Sequence, residues 1–181
     1  FILKVQAKKR MIFNPAESVD MQGHTGPYIA NAYVRIRSIL RRFTGASANY
    51  NQSHIIVSQE KVLIKLCLDY PDTLQEAGLQ LDPAHLANHL YQMAKDFHKY
   101  YHDHRILNAE TEELALWRIR VCKLVGAVLL HGMSCLGIED SFEGILGETH
   151  TVKLTTKSVS GILPRGGTIL GTRNRGSFVK M

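Results

Sequence analysis

Between Asp82 and Gly137, apolar residues recur at helical spacing along two long segments, and this pattern constrains the fold more than any other feature of the chain. Wound as an α-helix, the first segment places Leu86, Leu90, Met93 and Phe97 on one narrow stripe, and the second places Leu114, Val121, Leu124, Val125 and Val128 on another. Two such stripes bury themselves most simply against each other, which predicts a mainly α architecture, a helical bundle. Asp82 followed by Pro83 opens the first helix, a capping carboxylate before a proline at the first helical position, and this helix is predicted to run to about His102. The second is predicted to begin near Ala109, with Glu110, Glu112 and Glu113 where the helix dipole favours carboxylates, and Gly137 suits its C-terminal stop.

Upstream, residues 1–5 read as a short apolar strand, followed by the basic run Lys8, Lys9 and Arg10. Thr25 and Pro27 then open a helix over Tyr28 to Phe43, with Ile29, Tyr33, Ile36 and Leu40 on one stripe. Arg35 and Arg42 flank that stripe on one side, Arg37 and Arg41 on the other. Residues 44–53 are small and polar, as a loop or linker requires. A helix carrying Val62, Leu63, Leu66 and Cys67 starts near Ser58; Pro71 is predicted to interrupt it and to open a short third helix that Gly78 ends. Past Gly144, glycine, threonine and β-branched residues dominate without helical periodicity, so the C-terminal tail is expected to be irregular or α/β-like.

The 181 residues fit one domain with appendages, and no apolar run approaches the ~20 residues of a membrane span. No basic-then-apolar leader precedes a small-residue cleavage site, and a cytoplasmic location is expected; a beginning within an apolar segment at Phe1 reads as a fragment. Cys67, Cys122 and Cys135 form no C-x-x-C pair and are expected to be reduced thiols. A net charge of +6 with a pI near 9.3 favours a polyanionic partner such as RNA, and a monomer is expected.

Candidate binding residues follow from helical phase. Opposite the first apolar stripe lie Asn88, Tyr91, Lys95, His98, Lys99 and His102, cations interleaved with rings on which unstacked bases can lie; a solvated helix face is the alternative. Tyr100 and Tyr101 straddle the stripe and suit the core. Arg35, Arg41 and Arg42, with Arg37, can follow a phosphate backbone or serve solubility alone. Arg118 falls inside the apolar stripe of the last helix, where a guanidinium needs a partner: a carboxylate such as Asp96 is the first expectation, a phosphate in an open groove the second. His85 with His89, and His98 with His102, have metal-ligand spacing, yet the pairs point to opposite sides without a third ligand, so no metal site is expected. In the tail, Arg165, Gly166, Gly167 and Arg175 read either as a weak phosphate cradle or as a poorly ordered basic appendage.

Residues 1 to about 139 also carry a resemblance. A stretch of the form F-x-P-x-x-S-x-D-x-x-G-x-T-G-P-Y, running into A-x-x-R-I-x-S-I-L-R, is filled here by Phe13, Pro15, Ser18, Asp20, Gly23, Thr25, Gly26, Pro27, Tyr28, Ala32, Arg35, Ile36, Ser38, Ile39, Leu40 and Arg41. YPDTLQEAG, LANHLYQMAKDFHKYYHDHRIL and ELALWRIRVCKLVGAVLLHGMSCLGIE continue it. This region resembles the C-terminal part of class I arginyl-tRNA synthetases. The resemblance implies the end of a catalytic domain at 1–27, a connecting helix and linker at 28–52 and an anticodon-binding helical domain at 53–139. It implies tRNA-Arg as partner, no membrane, and ATP with Mg as cofactors of the whole enzyme only. The HIGH-like and KMSK-like signatures of that family are absent, so no catalysis is expected of this chain alone.

The tail at 140–181 resembles an internal segment of 6-phosphofructokinase through Leu154, Thr155, Val159, Ser160, Gly161, Ile162 and the run RGGTILGT. It lacks that family's G-G-D phosphate loop and its T-I-D-x-D region, which predicts a chimeric join and no independent domain. A phosphofructokinase-like fragment and an inert helical chimera are the alternatives to RNA binding.

Overall fold

The computed structural model describes residues 2–6, 9, 10, 12, 14–18, 20, 23–44 and 55–137. A 3-10 turn, Ile2–Lys4, and a single helical turn, α1 at Pro15–Ser18, precede four long helices: α2 at Gly26–Arg42, α3 at Ser58–Gln80, α4 at Pro83–Asp103 and α5 at Glu112–Cys135. No strand occurs among the described residues. The strand expected at residues 1–5 is instead the turn at Ile2–Lys4, since an apolar segment with no second strand to pair has no ladder to join. The chain divides into Phe1–Gly132, which holds the bundle, and Met133–Met181, of which residues 133–137 are described. Gly137 takes a left-handed φ of 74°, the conformation expected just past a helix end.

The helix starts follow the sequence closely. The Thr25 hydroxyl accepts from the Tyr28 N–H at 3.3 Å and the Asp82 carboxylate from the Ala84 N–H at 3.0 Å, each satisfying an orphan donor of the first turn. α3 departs from expectation. Pro71 interrupts nothing: the helix is continuous to Gln80, and Leu81, not Gly78, makes the left-handed stop. The missing N–H and ring clash of a mid-helix proline cost about 3 kcal/mol. Burial of Leu63, Cys67, Tyr70 and Ala77 on both sides of Pro71 outweighs that cost.

α4 lies between the others. α3 runs antiparallel to it, so that Glu60 reaches Tyr100 while the Leu66 carbonyl and Thr73 reach His89. α2 runs parallel, with His24 and Tyr28 against Tyr91 and Arg35 against His98 and Tyr101. α5 is antiparallel: a Cβ on Gly132 would sit 2.5 Å from Leu90 Cδ2, and one on Gly126 2.9 Å from Ile36 Cγ2. Leu86, Leu90, Met93 and Phe97 are buried as expected. The buried side of α5 is rotated from the expected stripe: Leu124 is 44% exposed, and Ala115, Ile119, Cys122, Gly126 and Leu129 line the core with Val121 and Val125. Small residues permit the close helix approach, which a stripe drawn through large aliphatics passes over.

Among the described residues, one carboxylate is fully buried. Glu60 accepts from the Val57 N–H at 3.1 Å and from the Tyr100 hydroxyl at 2.9 Å, closing the first turn of α3, where Val57 has no side-chain acceptor. Burial, and then the bond to Glu60, push the Tyr100 phenol far above its ordinary pKa. Burial also raises the Cys122 thiol to about 12 and Cys67 to about 11, so neither forms a thiolate near neutral pH and both act as packing residues.

Gly132→Ala is expected to lose roughly 1–2 kcal/mol in urea unfolding despite the helix-propensity gain. Gly78→Ala, where an added Cβ meets nothing within 4 Å, should gain up to about 1 kcal/mol. Equal effects at the two sites would refute the close approach of α5. Tyr100→Phe removes a partner from the buried Glu60 carboxylate and should cost about 1–3 kcal/mol by the same assay.

Candidate nucleic-acid interface

With α3 on one flank, α5 beneath and α2 on the other flank, α4 keeps a single ridge open to solvent. Asn88, Gln92, Lys95, Lys99 and His102 lie exposed along it. Four of these belong to the face expected to meet RNA; Tyr91 and His98, also expected there, are turned half-buried toward α2. At the foot of the ridge the Asn88 amide donates to the Lys4 carbonyl at 3.4 Å, beside a shallow cavity that Lys4, Lys9 and His85 also line.

The α2–α4 seam is built of rings. His24 lies over Tyr91 with centroids 3.8 Å apart, and Tyr28 approaches Tyr91 at 5.3 Å and the edge of His98 at 4.9 Å. The Arg35 guanidinium sits 4.8 Å from the centroid of Tyr101 and donates from Nη1 to His98 Nδ1 at 3.3 Å. A guanidinium only donates, so Nδ1 accepts and a neutral His98 keeps its proton on Nε2. Arg35 is therefore half-buried in the seam, whereas Arg41 and Arg42 are exposed at the end of α2. The parallel register brings that end level with the end of α4, where Lys99, His102 and Arg105 are exposed. Arg41, Arg42, Lys99 and Arg105, with the His102 ring, are thus exposed at corresponding ends of the two helices and make up a cationic rim.

Burial sets the titration of the seam. His98 is held below its ordinary pKa by burial first and the Arg35 charge second, opposed by the Tyr28 backbone. His24 is lowered by burial and then by Lys4. On the other flank of α4, burial likewise lowers His89, although its bond to the Leu66 carbonyl at 3.0 Å and the Asp69 charge pull the other way. Burial raises the Tyr28 phenol, with smaller contributions from Tyr91 and Asp96.

Arg118 is 7% exposed, inside the stripe as expected, but Asp96 is not its partner. Its Nη1 donates to the Arg105 carbonyl at 2.6 Å, and Glu110 Oε2 lies 3.9 Å away. The antiparallel register explains the difference: moving from Gly132 back to Arg118 along α5 moves forward from Leu90 to His104 along α4, well beyond Asp96. Asp96 accepts from Gln92 instead, at 2.8 Å. The spaced histidines have local uses: His85 meets Gln80 at 3.1 Å, and His89 bridges Leu66 and Thr73. No group of three metal-ligating side chains gathers among the described residues. Arg165, Gly166, Gly167 and Arg175 lie outside the described residues, as does the phosphofructokinase-like segment.

Helical phase on α4 alone missed His24, Tyr28 and Tyr101 as seam residues and Arg105 as part of the rim. The available signal was Tyr28 and Arg35 on one side of α2, with His24 just before it, which matches the row Tyr91, His98 and Tyr101 on α4.

A family model described as the DALR anticodon binding domain matches residues 29–141, which span nearly all of α2 and the whole of α3, α4 and α5. The chain belongs to this family. The matched residues include Arg35, Tyr91, His98 and Tyr101 of the seam and the open ridge of α4, whereas His24 and Tyr28 precede them. Arginine–tRNA ligases of Bacteroides fragilis and Parabacteroides distasonis are 40% and 39% identical to the chain over 143 residues, covering 77% of this chain. The chain spans about a quarter of those relatives' length, 24% in both cases. Among solved structures, the Thermus thermophilus arginyl-tRNA synthetase matches with a TM-score of 0.66 at 28% identity, over 74% of this chain and 23% of that one. No helix among the described residues is long and apolar enough to cross a membrane.

The histidine shifts predict a pH dependence of the bundle's stability. His24, His89 and His98 are all held below the ordinary value of 6.5, so the unfolded chain binds their protons more readily than the folded one. Stability should be fully present above about pH 7 and fall as pH drops through the histidine range. Urea midpoints measured from about pH 8 to pH 5.5 should decline toward acid; midpoints that hold level or rise would contradict the buried seam.

Proposed function

We propose that the chain is the tRNA-gripping portion of an arginine–tRNA ligase and that the α4 ridge with its cationic rim is the contact surface. The observation that carries this reading is the placement of Lys95, Lys99 and His102 on the one arc of α4 left open by three packed helices, in a domain of an anticodon-binding family. Lys95, Lys99, Arg41 and Arg42 supply phosphate contacts, since exposed cations pair with the backbone without reading its sequence. Asn88 offers a donor and an acceptor to a base edge. Tyr91 and His98, half-buried against α2, leave part of each ring accessible to an unstacked base. Burial of Tyr28 and His24 behind those rings holds them rigid, which lowers the entropy cost of stacking.

In the intact ligase a separate catalytic domain, using ATP and Mg, would activate arginine while this bundle holds the anticodon stem of tRNA-Arg in the cytoplasm. The relatives' greater length and the absence of HIGH-like and KMSK-like signatures here support a chain that binds tRNA and does not charge it. The tail at 140–181 has no part in this reading.

Filter binding should show tRNA-Arg held at least about fivefold more tightly than an unrelated tRNA, the equivalent of roughly 1 kcal/mol. Lys95→Ala with Lys99→Ala should reduce the slope of log affinity against log salt by about 0.7–0.9 per cation removed. Equal affinity for both RNAs, or an unchanged slope in the double variant, would count against the proposal.

A further inference from the structure

We infer that Arg118 is a positioning residue for the RNA-binding rim: from inside the core it holds the α4–α5 connection, residues 104–111, in the conformation that leaves Arg105 exposed just past the end of α4. The inference rests on the proposed tRNA-binding function.

Arg118 occupies a core position of α5, with Ala115 and Cys122 buried about one turn away on either side. An aliphatic side chain there would avoid the desolvation penalty of a buried guanidinium. That penalty is only partly offset. Nη1 donates to the Arg105 carbonyl at 2.6 Å, the nearby Glu110 carboxylate is 75% exposed at 3.9 Å, and the buried Nε has no hydrogen-bond partner. An arrangement so incompletely satisfied is a poor device for stability alone. What it does achieve is to draw two points of one connection, Arg105 and Glu110, toward a single rigid helix.

The connection is secured elsewhere as well. Gln59 of α3 donates to the Asp103 carboxylate at 2.6 Å, and its carbonyl oxygen accepts from His104 Nε2 at 2.7 Å. Ile106 is buried, anchoring the backbone immediately after Arg105. The Arg105 carbonyl is thus bonded to a core side chain while the residue itself remains exposed, two residues past the end of α4. Arg118 is itself too deeply buried to reach a phosphate. Its influence on RNA runs through the placement of Arg105.

A double-variant comparison tests this, with a tRNA-Arg transcript as probe and the full chain as protein. Arg105→Ala should weaken binding several-fold and reduce the salt slope by about 0.7–0.9. Arg118→Met should weaken binding by a similar factor, and combining the two should add nothing further. In the absence of RNA, hydrogen exchange of the His104 amide, which donates to the Tyr100 carbonyl at 3.0 Å, should speed at least tenfold in Arg118→Met, while amides in the middle of α4 stay protected. Arg118→Lys keeps a donor able to reach the Arg105 carbonyl, should recover most of the affinity, and carries the comparison if the Met variant does not fold. Additive losses, a neutral Arg105→Ala, or an Arg118→Met protein that is less stable yet binds like wild type would each overturn the inference alone. Wild-type protein that binds no tRNA would overturn the functional proposal and this inference together.

Discussion

The close approach of α5 to α4 and α2, made at Gly126 and Gly132, is the contact on which the remaining architecture depends. With backbone this near, Leu90 and Ile36 are sealed beneath α5, and Phe97, Met93 and Val125 complete a dry interior. A large side chain at either glycine would push the helices apart and open that interior to water. Once α5 is seated, α3 and α2 take the two flanks of α4, and only one arc of α4 is left to solvent. The arc is a consequence of packing, and the cations it carries are consequently held on a rigid helix.

Charge is sorted by the same packing. The side of α4 facing α2 is lined by rings, and the Arg35 cation within that seam is accommodated by Tyr101 and by the lone pair of His98. Protonating His98 would remove that lone pair and set two positive charges against each other, so the seam favours a neutral imidazole. On the opposite flank the buried Glu60 is met by Tyr100 and the Val57 N–H. Cations that the interior cannot accommodate lie on the ridge and at the rim, where a phosphate backbone can reach them.

Much of this was legible in the sequence because it is local. Thr25, Asp82 and Gly137 announce helix boundaries through chemistry confined to a few neighbouring residues, and the stripe Leu86, Leu90, Met93 and Phe97 is a periodicity internal to one helix. What escaped depends on partners far along the chain. Pro71 stays within α3 because of packing against other helices, which no local propensity contains. The buried face of α5 is rotated toward Ala115, Cys122 and Gly126, small residues whose value appears only when another helix comes close. Tyr91 and His98 turn from solvent toward α2 because His24 and Tyr28 wait there, and Arg118 finds the Arg105 carbonyl, in place of Asp96, through the antiparallel register of α4 and α5.

On the proposed function, one arc of α4, and not the outer face of α5, meets tRNA. Amine-reactive footprinting of lysines with and without tRNA-Arg tests it directly, because Lys95 and Lys99 lie on that arc and Lys123 is exposed on α5. Strong protection of Lys95 and Lys99 is expected, with Lys123 modified as before. Protection of Lys123 with the two α4 lysines still reactive would contradict it.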